Sequence, residues 1–143
     1  MPAIAWVLIG LVLLMLAKAS KVAIGYLRGV AFNLELAGIG NGYSLRPDAA
    51  SAWLAMASAA SADGVTFDIN SAFRTHEQQV ALQTTRAGYA APVDYSPHQR
   101  GIAVDVETAG GSNAAFAWLN TNASMYGFAR TVASEPWHWE YTL

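Results

Sequence analysis

The 143-residue chain contains no cysteine, which excludes disulfides, thiolate metal ligands and a thiol nucleophile. Charge is sparse as well: only 13% of the residues are Asp, Glu, Lys or Arg, and the formal net charge is −2. Beyond Lys18, Lys21 and Arg28 the balance turns acidic, and no basic run interleaved with aromatics occurs, so nucleic acid is not an expected partner. Internal repeats and long low-complexity linkers are missing; Thr108 to Asn113 is only a short Gly/Ser-rich loop. Histidine is rare, with His76, His98 and His138 the only three.

Met1 to Ala17 lacks any charged side chain and is rich in Leu, Ile and Val. As a helix it would extend roughly 25 Å at about 1.5 Å per residue, slightly short of a roughly 30 Å hydrocarbon core, with Lys18 and Lys21 able to snorkel. Continued helix would set Lys18, Lys21 and Arg28 near one stripe, with Val22, Ile24, Leu27 and Val30 available to lipid. This divides the chain into residues 1–36, a membrane anchor with a basic juxtamembrane helix that binds the lipid bilayer, and residues 37–143, one catalytic domain. Ala17-Lys18-Ala19 fits a signal-peptide cleavage pattern, but the positive n-region is missing and a retained anchor is favoured. A buried helix of a soluble protein is the remaining alternative.

In the second region Pro47 opens a helix whose small apolar face carries Ala49, Ala50, Trp53, Leu54 and Ala57. A strand follows near Val65 to Asn70. Thr75-His76-Glu77-Gln78 forms a capping box for the next helix, with Gly88 as its stop, and Ser112 is placed to cap a third helix carrying Phe116, Trp118 and Leu119. Strands at Gly101 to Val106, Phe128 to Val132 and the C-terminus complete the pattern. Helices and strands without regular βαβ alternation predict an α+β domain, a small antiparallel sheet with packed helices.

The chemistry concentrates in Ser96-Pro97-His98-Gln99-Arg100-Gly101-Ile102-Ala103-Val104-Asp105, answered by Glu135-Pro136-Trp137-His138. Alternation along Gly101 to Val106 sends Asp105 away from an aliphatic face, and His98 approaches through the turn-prone Asp94-Tyr95-Ser96-Pro97 loop. In the last strand His138 and Glu140 share one face, opposite Trp137, Trp139 and Tyr141. Two imidazoles and a carboxylate suit three positions of one tetrahedral Zn²⁺, leaving the fourth for water and a second carboxylate to take its proton. His98, Asp105 and His138 are the expected ligands and Glu135 the base. Glu140 is the alternative base or an outer partner of His138. His76, at a helix start, reads as a surface residue.

The order S-x-H-x-x-G-x-A-x-D then E-x-W-H resembles the D-alanyl-D-alanine carboxypeptidase family of zinc peptidases, the VanY-like group with the hedgehog/DD-peptidase fold. Leu45-Arg46-Pro47, Ser71-Ala72-Phe73-Arg74 with Gln78 and Gln79, and Tyr126-Gly127-Phe128 resemble further family landmarks, so that the likeness runs from about Tyr43 to Tyr141. Where family members often carry Pro-Gly before the S-x-H element, this chain has Ala91-Pro92-Val93-Asp94-Tyr95, which alters the loop beside the metal. The resemblance implies a peptidase of bacterial peptidoglycan stem peptides, with one zinc ion on His98, Asp105 and His138, Glu135 as base, and Arg74 binding substrate and stabilising developing charge. Ser71, Gln79 and Ser96 are weaker substrate contacts; Ser96 alternatively shapes the turn and Gln79 faces solvent.

D-Ala-D-Ala carboxypeptidase is the first expectation. An endopeptidase cutting L-Ala-D-Glu or a crosslink, as in related phage enzymes, is the alternative, and a zinc-stabilised structural module the alternative of another class. The anchored domain is expected to face the cell wall. Because the positive charges follow the apolar segment, the positive-inside tendency opposes that orientation, and a bacteriophage virion membrane is the alternative location.

Overall fold

The computed structural model describes residue 18, residues 21–86, residue 88 and residues 90–143. The apolar segment Met1 to Ala17 lies outside them. Among the described residues no helix is long and apolar enough to cross a membrane. The first element is not the expected basic helix: β1 (Lys21–Leu27) and β2 (Val30–Gly40) form an antiparallel hairpin. Period-two patterning and β-branched Val22, Ile24 and Val30 favour extended chain over helix. The reversal at Arg28 and Gly29, with φ of 50° and 80°, is a two-residue turn with both centres left-handed, the form that suits strand twist. Leu34 and Leu36 point inward and are buried while Asn33 and Glu35 are exposed. The third strand, β3 (Tyr43–Leu45), completes this sheet in the order β1-β2-β3.

A second antiparallel sheet has the order β4-β5-β7-β6, built from β4 (Ile69–Ser71), β5 (Ala103–Val106), β6 (Phe128–Ala129) and β7 (His138–Tyr141). Two antiparallel sheets with three helices give the α+β class expected, although the single sheet anticipated is two. Backbone bonds join the sheets: Arg46 N–H donates to Gly101 O at 2.8 Å and Phe73 N–H to Ser44 O at 3.0 Å.

Helix α1 (Pro47–Ala62) starts with Pro at its first turn and Asp48 near its positive end, and its alanines lose little entropy on ordering. Ala49, Ala50, Trp53, Met56 and Ala60 are its buried face. Met56 replaces the expected Leu54, which is 41% exposed, because the row Ala49, Trp53, Met56, Ala60 keeps one side of the helix on the core. Small alanines let Trp53 reach Phe67 and Phe128, each at a ring-centroid distance of 5.5 Å. Trp118 of α3 (Ala114–Asn122) donates its indole N–H to Asp63 at 2.8 Å, tying α3 to the end of α1. Asn113, rather than the expected Ser112, caps α3 by accepting from Phe116 N–H. Helix α2 (His76–Thr85) carries the expected capping box between Thr75 and Gln78.

One tight joint against backbone is Gly101, which ends the 3₁₀ turn Pro97–Arg100 with φ of 69°. A Cβ there would stand 2.9 Å from Arg46 N and 3.3 Å from the Leu34 side chain. Gly101→Ala therefore combines a left-handed alanine with a backbone clash and should lower stability by about 1–3 kcal/mol. Urea unfolding of the variant beside wild type checks this, and an unchanged midpoint would contradict it.

Candidate zinc centre

Strand register builds the centre. Asp105 on β5 lies directly opposite His138 on β7 and beside Ser71 on β4, so three adjacent strands offer polar side chains at one level. Behind them, Val104 and Val106 of β5 and Trp139 of β7 enter the core, which anchors the strands that carry the ligands. His98 comes from the 3₁₀ turn, whose first backbone amides are held by Ser96: its hydroxyl accepts from His98 N–H at 3.2 Å. The turn lies against β4's continuation through Arg74 N–H donating to His98 O at 3.1 Å.

Ligand atoms of His98, Asp105 and His138 all lie within 4.8 Å of one another. Asp105 Oδ1 is 3.1 Å from His98 Nε2 and 2.9 Å from His138 Nδ1. His98 Nδ1 donates to Ala72 O at 2.7 Å, and burial holds the His98 imidazole below its ordinary titration range, hence neutral. Its Nε2 then turns a lone pair toward an Asp105 oxygen that also holds only lone pairs. Two acceptors facing each other across this distance, one buried and one half-buried, fit a cation between them, and the nitrogen and oxygen donors fit zinc.

Around this core each carboxylate has a different environment. Burial alone would raise Asp105, but its contacts with the His138 and His98 imidazoles outweigh it and hold the carboxyl well below its usual range. Arg74 donates from Nη2 to Asp105 Oδ2 at 2.9 Å. Glu140 Oε2 lies 3.2 Å from His138 Nε2 and also accepts from the Thr131 hydroxyl. Glu135 precedes β7 in a turn closed by His138 N–H donating to Glu135 O at 3.2 Å, and its side chain makes no hydrogen bond to the described residues. Of the three, Glu135 alone makes no side-chain hydrogen bond to the described residues, an environment that suits proton exchange.

A cleft of about 910 Å³ opens over these groups. Arg74, His98, Asp105, Glu135, Trp137 and His138 line it, and Arg86 and Arg100 add positive charge. Trp137, expected to share a face with Trp139, instead lies 40% exposed in the cleft wall, because it sits in the turn just before β7 begins.

The weaker expected contacts separate on inspection. Gln79 does not face solvent: it is fully buried, donates to Ala91 O at 2.8 Å and accepts from Arg74 Nη1 at 3.3 Å. Ser96 is 1% exposed and serves the turn. Ser71 is half-buried and accepts from Arg74 Nε at 2.9 Å. Gln79 and Ser71 therefore position Arg74. His76 is partly exposed, but its Nδ1 pairs with Asp94 at 2.8 Å. Asp94 in turn exchanges hydrogen bonds with buried Gln99. Sequence reasoning missed Gln99, Thr131, Arg86 and Arg100; an Asp with positive φ, as at Asp94, leaves no mark in a single sequence.

Burial alone would lower His138, yet hydrogen bonds to Asp105 and Glu140 outweigh it and raise the imidazole to about 9. Without metal, that raised value gives stability fully present below about pH 6.5 and lost as pH rises through about 9. Buried neutral His98 acts oppositely, weakening the fold below about pH 6.5, and the depressed Asp105 adds to loss at still lower pH. The metal-free protein should melt at falling temperature between about pH 6.5 and 9, with the slope reduced in His138→Gln. A melting temperature that climbs across the interval would contradict the assignment.

A family model described as D-alanyl-D-alanine carboxypeptidase, VanY, matches residues 42–143. A D-alanyl-D-alanine carboxypeptidase of Enterococcus faecalis (strain ATCC 700802 / V583) is 31% identical over 114 residues, covering 58% of this chain and 42% of that relative. The chain thus spans less than half the length of that relative. Among solved structures, a vancomycin resistance D,D-pentapeptidase VanY in complex with Zn(II) has TM-score 0.67 at 25% identity, covering 91% of this chain and 88% of the other. VanYB in complex with D-Alanine-D-Alanine gives the same TM-score and identity, covering 91% and 86%. DacB from Streptococcus pneumoniae D39, at 24% identity and TM-score 0.54 over 86% and 85%, shares the fold. With its motifs set in that fold and most of its length matched by the family model, the chain belongs to the VanY D-alanyl-D-alanine carboxypeptidase family.

Proposed function

We propose that the protein is a zinc-dependent peptidoglycan peptidase that removes the terminal D-alanine from cell-wall stem peptides. The observation that carries this reading is the convergence of His98 Nε2, Asp105 Oδ1 and His138 Nδ1 beneath a cleft also lined by Glu135, whose side chain makes no hydrogen bond to the described residues. VanY-type relatives solved with Zn(II) and with D-Alanine-D-Alanine support the metal and the substrate class.

His98, Asp105 and His138 would hold the ion. A bound zinc ion supplies Lewis-acid polarisation of the scissile carbonyl and acidification of the attacking water. Glu135 takes the proton from that water and returns it to the leaving amine, so one carboxylate serves as base and then acid. Arg74, fixed by Ser71, Gln79 and Asp105, stands in the cleft wall where it can meet a substrate carboxylate or the developing oxyanion. Trp137, Val132 and Leu82 provide apolar wall for alanine methyl groups.

Incubation of the zinc-loaded protein and Glu135→Ala with purified muropeptides bearing pentapeptide stems, resolved by mass spectrometry, tests the assignment. Loss of one D-Ala by wild type is expected, with turnover reduced at least 100-fold in Glu135→Ala while zinc stays bound. An internal cut would reassign the enzyme as an endopeptidase, and intact stems with both proteins across several wall chemistries would reject the peptidase reading.

We also propose that Met1 to Ala17 attaches the enzyme to a membrane, on the strength of its charge-free apolar composition. Membrane fractionation of the full chain beside one lacking residues 1–17 tests it; equal recovery of both in the supernatant would reject attachment.

A further inference from the structure

Two histidines face the same Asp105 oxygen, but through different ring nitrogens. His98 presents Nε2 because its Nδ1 is committed to Ala72 O, a backbone acceptor that no side-chain substitution removes. His138 presents Nδ1, and what occupies its other nitrogen is a side chain, Glu140. The two sit at alternate positions of β7 and so share its cleft-facing side. Glu140 is itself held: Thr131, just beyond β6, donates its hydroxyl to the same Oε2 that faces His138. Asp105 cannot select the tautomer, because it lies on the metal side of the ring.

Resting on the zinc reading above, we propose that Glu140, braced by Thr131, is a positioning residue that fixes the proton of His138 on Nε2 and thereby leaves the Nδ1 lone pair for zinc. A neutral imidazole carries one proton, and either nitrogen can hold it. An anionic acceptor at 3.2 Å from Nε2 makes the Nε2–H form the favoured one and orients the ring about its bond to β7. The same bond raises the electron density of the ligating nitrogen. Glu140 does not compete with Glu135 for the base role, since its Oε2 already accepts from His138 and Thr131, whereas Glu135 makes no side-chain hydrogen bond to the described residues.

The direct measurement is zinc affinity by competition with a chromophoric chelator, using Zn²⁺ alone and no substrate. Glu140→Ala should bind about 10- to 100-fold more weakly than wild type, the range typical for loss of an outer partner of a metal-bound histidine. Glu140→Gln, whose amide oxygen can accept the same N–H, should recover most of that loss. Melting of the metal-free variants checks that each is folded. If Glu140→Ala does not fold, imidazole nitrogen spectra of zinc-loaded wild type decide: a proton on Nε2 of His138 with slow solvent exchange upholds the proposal, and a proton on Nδ1 overturns it. Equal zinc affinity of wild type and a folded Glu140→Ala would also overturn it. Failure of wild type itself to bind zinc would instead reject the zinc reading on which the proposal rests.

Discussion

The structure around the cleft depends on one buried carboxylate. Asp105 Oδ1 faces both histidines and Oδ2 accepts from Arg74, so His98, His138 and Arg74 all converge on that residue. A buried anion is costly unless its lone pairs are met. Here cross-strand register meets them: pairing Asp105 with His138 brings one partner, and pairing with Ser71 brings the strand end that leads to Arg74. The irregularity in the β4–β5 ladder falls at this point, between Ile69 and Ser71. A one-residue slip of β7 would turn Trp139 into the cleft and His138 into the core, which ties register to the apolar packing of Trp139 and Val104 as much as to the polar site.

The loop elements are subordinate to that sheet. His98 rides on a 3₁₀ turn closed at one end by the Ser96 hydroxyl and at the other by left-handed Gly101, and the turn leans on β3's exit through the Arg46–Gly101 bond. On its outer side the hairpin of β1 and β2 supports the same loop, with Gly29 N–H donating to Asp94 O at 2.9 Å. Asp94 then joins Gln99 and His76 through hydrogen bonds, so the loop preceding His98 is fixed by groups from the hairpin, the turn and α2. This hairpin precedes the segment matched by the family model, and its contact with the Asp94 loop falls where the chain departs from the usual Pro-Gly step.

The clustering of His98, Asp105 and His138 was legible because zinc demands few residue types in a restricted order, and this chain has too few histidines for the order to arise in many ways. The strand periods at Asp105 and His138 carried the geometry as well. What escaped was whatever depends on partners distant in sequence. Gln79 looks like a polar surface residue in a linear reading, yet it is buried beneath Arg74, whereas Ser96 takes the turn-shaping place that was the alternative to substrate contact. Leu54 and Met56 are equally apolar, and only the direction in which α1 meets the sheets decides which is covered. The stretch after Lys18 misled for a different reason: next to an apolar segment, its basic residues suggested a continued helix, whereas β-branched alternation and the Arg28-Gly29 turn make a hairpin.

Environment rather than residue type separates the carboxylates, and the same argument bears on Arg74. Its Nε donates to Ser71, one Nη1 hydrogen to Gln79 and one Nη2 hydrogen to Asp105, which leaves one hydrogen on each terminal nitrogen. Burial pulls its pKa down while Asp105 and Glu135 pull it up, but a guanidinium stays charged throughout the physiological range. A lysine at this position could not satisfy Ser71, Gln79 and Asp105 with the same planar spread and still offer a directed donor pair to substrate. Under the proposed function, the positive group offered to an incoming carboxylate is the same group that braces Asp105, so one side chain would link substrate recognition to the geometry of the His98, Asp105 and His138 cluster.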